Sequence, residues 1–185
     1  TGLAAPFASL PEAAAGLLGA QSQIEAPSRW SLALRVAGHP TAERVQAAIR
    51  DDRSLIRAWG QRDTVHLYAA TDWALFAAAQ TLWPVSARRG GMPTEREIAD
   101  FVATVEALGR PFTRSEVLDA APGRLVDAFR AEPVNDDPPE RMAITRLIWA
   151  AGHAGDLCAT HMAGREQAYA ARRAWVPGLA WRAWE

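Results

Sequence analysis

Residues 53–73 read RSLIRAWGQRDTVHLYAATDW. Leu55 to Trp59 and Thr64 to Tyr68 have the β-branched and aromatic content of strands, with Gly60, Gln61, Arg62 and Asp63 as the turn between them. Alternation puts Val65 and Leu67 on one side and Thr64, His66 and Tyr68 on the other. Thr71 then stands where it can cap a helix carrying Leu75, Ala78, Ala79 and Leu82 in register.

Working back from this hairpin, the period becomes helical. Ser9, Leu10, Pro11 and Glu12 form a capping-box string ahead of Leu10, Ala13, Ala14, Leu17 and Leu18, and the helix is expected to stop near Gly19. Ser28 can start a second helix through Trp30, Ala33, Leu34 and Ala37 to Gly38. Thr41 starts a third, with Val45, Ala48 and Ile49 on one face. Three helices followed by a hairpin describe a winged helix, with the hairpin as its wing.

Working forward, PVSARRGGMP at 84–93 has the Pro and Gly content of a linker. The pattern then partly repeats. Thr94 with Glu97, and Thr113 with Glu116, are two more capping boxes. The first leads to Ile98, Phe101, Val102 and Val105, the second to Val117 and Leu118. The loop AEPVNDDPPE precedes a helix with Ile144, Leu147, Ile148 and Ala151 on one face. Residues 155–159 and 167–171 complete a second hairpin. The expected fold class is mainly α with small β-hairpins (α+β), built as tandem winged-helix modules at 1–83 and 94–185 around the linker at 84–93. A single helical bundle with incidental β-ribbons is the alternative.

Bulk properties agree with a small globular protein. At 185 residues, one or two domains are expected, and 49% hydrophobic residues are ample for a core. No apolar stretch is long enough to span a bilayer, and the N-terminus has no basic region leading into an apolar run, so a cytoplasmic protein away from membranes is expected. The single cysteine, Cys158, excludes an intrachain disulfide framework. A net charge of -1 argues against a strongly basic nucleic-acid binder. All 20 basic residues are nonetheless arginine, the side chain best suited to phosphate and base contacts, and one face can still be basic.

Between the first two helices lies Gln21-Ser22-Gln23. In an extended loop residues i and i+2 project to the same side, so the two carboxamides would stand together with Ser22 pointing away. As a bare string this pattern has little specificity, and two polar loop residues capping helix ends would look the same.

The hairpin segment resembles that of the AlkZ/YcaQ-type winged-helix DNA glycosylases, with matching positions at Arg57, Trp59, Arg62, Thr64, His66 and Leu67. Residues 147–178, LIWAAGHAGDLCATHMAGREQAYAARRAWVPG, are similar to the same family's second-module ending. The resemblance runs over roughly Leu10 to Pro177. It implies a bacterial enzyme that excises bulky alkylated purines, and some interstrand crosslinks, from double-stranded DNA; several members serve self-resistance. It also implies tandem winged-helix modules, normally three, of which two fit in this chain. The family's catalytic signature is a glutamine, an apolar residue, then glutamine or aspartate, after the first helix. That places Gln21 and Gln23 as the catalytic pair. Two departures stand out: Ser22 occupies the apolar position, and Asp63 replaces a glycine in the hairpin turn.

Glutamines suit one version of glycosidic chemistry. Paired carboxylates normally protonate the leaving group and stabilise or attack the sugar. An N7- or N3-alkylated purine already carries positive charge and leaves readily. What remains is to hold a water and stabilise an oxocarbenium-like sugar, which neutral amides can do. Arg57, Arg62 and His66 are the candidate DNA contacts: the arginines as wing phosphate ligands, His66 as a cleft residue or a structural histidine bonded within the hairpin.

Other residues carry less. Cys158 and His161 have a ligand-like spacing without a second half, so no metal is expected and Cys158 reads as core. His39 and His153 read as loop residues beside helix ends. Arg172 and Arg173 read equally as phosphate contacts or as a solvated face. The tryptophans read as core or inter-module packing, with Trp181 and Trp184 near an interface. No Gly-rich phosphate loop, zinc-protease string or serine-hydrolase elbow occurs, so no cofactor is expected. The competing functions are a non-catalytic winged-helix regulator and a protein-interaction scaffold, since fold alone does not separate them. The expected state is a monomer.

Overall fold

The computed structural model describes residues 2–81, 93–120 and 139–181. The chain divides into two compact units, one of Thr1–Gln80 with the described part of Gly178–Glu185, the other of Thr81–Pro177. The expected linker at 84–93 and the loop before Pro139 lie almost wholly outside the described residues, as do Leu82 and Trp184.

In the first unit α1 (Leu10–Gly16) leads to β1 (Ala20–Gln21), α2 (Glu25–Ala33), α3 (Ala42–Arg50), the hairpin β2 (Leu55–Trp59) and β3 (Val65–Ala69), and α4 (Trp73–Thr81). β3 is central: it pairs antiparallel with β2 and, through Ala20↔Leu67 and Gln21↔His66, with β1. The second unit repeats the order with α5 (Glu95–Glu106), β4 (Phe112–Thr113), α6 (Arg114–Ala120), α7 (Pro139–His153), the hairpin β5 (Leu157–Ala163) and β6 (Glu166–Ala171), and α8 (Arg172–Trp175). There too the short strand pairs with the second hairpin strand, through Phe112↔Tyr169 and Thr113↔Ala168. Helix, short strand, two helices and a hairpin, twice over, is the tandem winged-helix arrangement.

Sequence determines most element starts. Thr41 caps α3 by accepting from the Arg44 amide, and Val45, Ala48 and Ile49 are its buried face. Thr94–Glu97 is a reciprocal capping box, and so is Thr113–Glu116, with both amide contacts made. Glu116 is held below the usual carboxylate range mainly by the Thr113 amide. Ser9 accepts from the Glu12 amide, but Glu12 reaches Ala8 instead of closing the box. Ile144, Leu147, Ile148 and Ala151 are buried on α7, and Cys158 is core.

Four expectations need correction. α1 ends at Gly16, not Gly19: the Leu18 amide bonds the Ala15 carbonyl and the Gly19 amide bonds the Ala14 carbonyl, and Leu18 takes the left-handed position at φ 54°. α2 starts three residues before Ser28, because Pro27 fits a first turn whose amides have no helical acceptor. It ends at Ala33 because residues 35–37 pair with Phe7. α4 buries Trp73, Ala74 and Ala77, leaving Leu75 exposed, and Thr71 bonds Asp72 instead of capping it. Finally, the hairpin is not a solvent-facing wing along its length. Every residue of β2 and β3 is buried, and only its turn is open to solvent.

Candidate active site

The glutamine segment forms an edge strand and the turn beyond it. After Gln21↔His66, the Ser22 amide donates to the Val65 carbonyl at 2.6 Å. The next rung is made by a side chain: the Val65 amide donates to Gln23 Oε1 at 3.2 Å. An amide N–H can only donate, so this contact fixes which end of the Gln23 carboxamide faces inward. Alternation holds as expected: Gln21 and Gln23 are exposed, and Ser22 is fully buried. The Gln21 carboxamide makes no hydrogen bond among the described residues.

The hairpin turn closes on this segment from the other side. Gln61 Nε2 donates to the Leu18 carbonyl at 2.7 Å. Arg62 and Asp63 both take positive φ, at 57° and 60°, facing Leu18 and Gly19 with their own positive φ. Strained backbone on both sides of one loop is a pattern of functional sites. Leu18 and Ile24, which bracket the glutamines, are 63% and 72% exposed.

His66 lies directly across from Gln21, on the same side of the sheet. It is 3% exposed, stacks on Tyr68 at 5.7 Å, and has Nδ1 3.1 Å from the Thr64 carbonyl. Burial pushes its pKa below 6.5; the Thr64 carbonyl opposes this and Arg62 adds to it. Burial thus favours its neutral form. A histidine titrating lower in the folded than in the unfolded chain stabilises the fold fully above the unfolded value, and loses that contribution as pH falls through the folded one. Urea unfolding at about pH 7.5 and about pH 5.5 should show lower stability at the acid point, and His66→Phe should shrink the difference. An unchanged difference would place the proton uptake elsewhere.

The candidate DNA contacts separate. Arg62 is exposed at the turn and has no ion pair among the described residues. Arg57, expected on the wing surface, is 6% exposed. Its register with Leu67 puts it on the helix-facing side of the sheet, where it bonds Ser22. That guanidinium is turned away from any solvent-borne phosphate. His66 is both structural and at the site. Arg172 is spent on the Gly155 carbonyl and Asp156, while Arg173 reaches Glu106 at 3.8 Å. No cluster of three metal-ligating side chains occurs among the described residues, and no helix there is long and apolar enough to cross a membrane.

Sequence reasoning missed Gln61, whose partner is 43 positions away. No local signal marks it.

The first of the two winged-helix repeats exposes two carboxamides side by side, Gln21 on its edge strand and Gln23 in the turn beyond. The chain belongs to the AlkZ-like DNA glycosylase family, whose profile it matches over residues 14–185. Among solved structures it is similar to the Streptomyces sahachiroi DNA glycosylase AlkZ, at 22% identity and a TM-score of 0.67. The match covers 97% of this chain and 48% of that one, so the chain spans about half the length of that structure. At this identity the likeness shows the fold. No match occurs among curated proteins.

Proposed function

We propose that this chain carries the active site of a DNA N-glycosylase that excises bulky, cationic N-alkylated purines from duplex DNA, with Gln21 and Gln23 as the catalytic pair. The observation that carries this reading is the exposure of both amides side by side, at the end of the edge strand and in the turn beyond it, with Gln23 locked by the Val65 amide. Of the described strand residues in the first unit, those on the Gln21 side of the sheet, including His66, Tyr68 and Ala58, with Gln23 beside them, offer no carboxylate to protonate a leaving group. A substrate with its own positive charge needs none.

The locked orientation divides the labour. Gln23 has its carbonyl turned inward, so its NH2 is the end offered outward, suited to holding a water. Gln21 has both ends free and can turn its carbonyl to the sugar as positive charge develops. Arg62 supplies the phosphate contact at the rim.

A non-catalytic regulator finds less support. Of the arginines on α3, Arg44 is bonded to Asp52 at 2.6 Å, which removes one cation from the helix such a protein would use to read bases.

The decisive assay incubates the protein with duplex DNA containing a bulky N7-alkylguanine and measures abasic sites. Abasic sites should form on the modified duplex and not on unmodified DNA; tight binding of both without excision would overturn the reading. Arg62→Ala should weaken duplex binding and lower the slope of log affinity against log salt by about 1. An unchanged salt slope would remove Arg62 from the interface.

A further inference from the structure

Arg57 and Ser22 are two residues of the motif segments that the proposed chemistry leaves unused, and they are bonded to each other. Arg57 Nε lies 3.1 Å from both the carbonyl oxygen and Oγ of Ser22, and Nη2 lies 2.9 Å from the same carbonyl. Ser22 Oγ is 2.8 Å from Ser28 Oγ, and Ser28 donates to the Glu25 carbonyl at 2.7 Å.

Proton counting gives this chain one direction. An arginine only donates, so Ser22 Oγ accepts from Nε. The Ser28 proton is committed to Glu25, so the Ser22 hydroxyl must donate to Ser28. The sequence Arg57 → Ser22 → Ser28 → Glu25 carbonyl satisfies every hydroxyl in it. It ties the hairpin strand β2 to the residue between the glutamines, and that residue to the first turn of α2. Ser22 and Ser28 are almost completely buried, where an unmet polar group would be costly. α2 has no side chain capping its start, and the Ser22–Ser28 bond is a side-chain tie between the loop and that helix.

We propose that Arg57 is the positioning residue of the glutamine pair. It rests on the reading of Gln21 and Gln23 as catalytic. By gripping the Ser22 carbonyl from the buried side, the guanidinium fixes the strand from which both amides project outward. Its charge stays on the opposite side of that strand, away from a cationic base. Ser22 in place of an apolar residue is then an adaptation to this arrangement: the hydroxyl takes up an Nε–H that an apolar side chain would leave with the carbonyl alone.

The bond count sets the order of effects. Arg57→Met removes all three contacts with Ser22, Arg57→Lys keeps one point donor within reach of the carbonyl, and Ser22→Ala keeps both carbonyl contacts. Single-turnover excision of an N7-alkylguanine duplex should fall by about 100-fold in Arg57→Met, by about tenfold in Arg57→Lys, and by less than about threefold in Ser22→Ala. Duplex affinity should stay within about twofold throughout, because Arg57 does not face solvent. Loss of affinity in step with loss of rate, or a wild-type rate in Arg57→Met, would overturn the proposal. If Arg57→Met fails to fold, Arg57→Lys decides: the wild-type rate in that variant overturns it.

Amide hydrogen exchange separates this proposal from the reading beneath it. The amides of Ser22 and Val65 should lose protection in the Arg57 variants while those of α5 do not. If the wild type excises nothing yet this selective loss occurs, Arg57 still positions the loop and the glycosylase reading fails. If protection is unchanged, the positioning role fails whatever the wild type excises.

Discussion

Replacing Gln21 with alanine should lower single-turnover excision of a cationic alkylpurine by about 100- to 1,000-fold, the range found when one preorganised transition-state contact is removed. Thermal stability and duplex affinity should stay at wild-type values. Gln21 is the cleaner of the two glutamines to test. Its carboxamide is exposed and makes no hydrogen bond among the described residues, so its truncation removes nothing the fold uses. Gln23 is different. Its Oε1 accepts the Val65 amide, so Gln23→Ala unpairs a strand amide as well as removing a proposed catalytic group. That contact contributes about 1 kcal/mol, and its loss would let the loop shift. Gln23→Ala should therefore lose activity at least as severely as Gln21→Ala, with a measurable drop in unfolding free energy that Gln21→Ala lacks. The paired readout is excision rate and denaturant unfolding on the same preparations. Wild-type excision in Gln21→Ala would remove it from the chemistry.

This asymmetry between two glutamines two residues apart was half legible in the sequence. Alternation placed both amides on one side and Ser22 on the other, because extended backbone enforces it locally. What makes their environments differ is the strand alongside, contributed by residues 65–67, and no local pattern announces a two-residue strand such as β1. The same division runs through the fold. α3 and α5 were readable because a capping threonine and a one-sided apolar face agree. α4 was misphased because seven consecutive residues, Trp73 to Ala79, are all apolar and therefore carry no phase. Arg57 and Arg62 look alike five positions apart. One is buried because a carbonyl 35 positions upstream receives it, and the other sits at a turn, in solvent. Local periodicity and capping are properties of neighbours, whereas burial of a charge depends on a distant partner.

The largest stability effect is expected at Gly19, one residue before β1. Gly19 adopts φ +92°, a conformation that L side chains rarely take. A Cβ there would also run into the Tyr68 ring, whose Cε1 and Cδ1 lie in its path. Tyr68 has nowhere to go. It is fully buried, Phe76 stacks on it with centroids 4.0 Å apart, and its hydroxyl abuts the Gly60–Gln61 backbone. The same burial raises its pKa to about 12, with Gln61 pulling more weakly the other way. The left-handed backbone costs about 1 kcal/mol for a residue with a Cβ. Overpacking against a ring that cannot move adds about 1–3 kcal/mol. Gly19→Ala should thus lose about 3 kcal/mol in urea unfolding, a large part of the roughly 5–15 kcal/mol typical of a domain. The two contributions can be separated with Tyr68→Leu. In Gly19→Ala/Tyr68→Leu the steric part is relieved and the backbone part stays, so the double mutant should be more stable than the sum of the singles by about 1–2 kcal/mol. Additive losses would mean that Tyr68 is not the barrier. Coupling of that size would show that the ring beside His66 sets the course of the chain into Gln21.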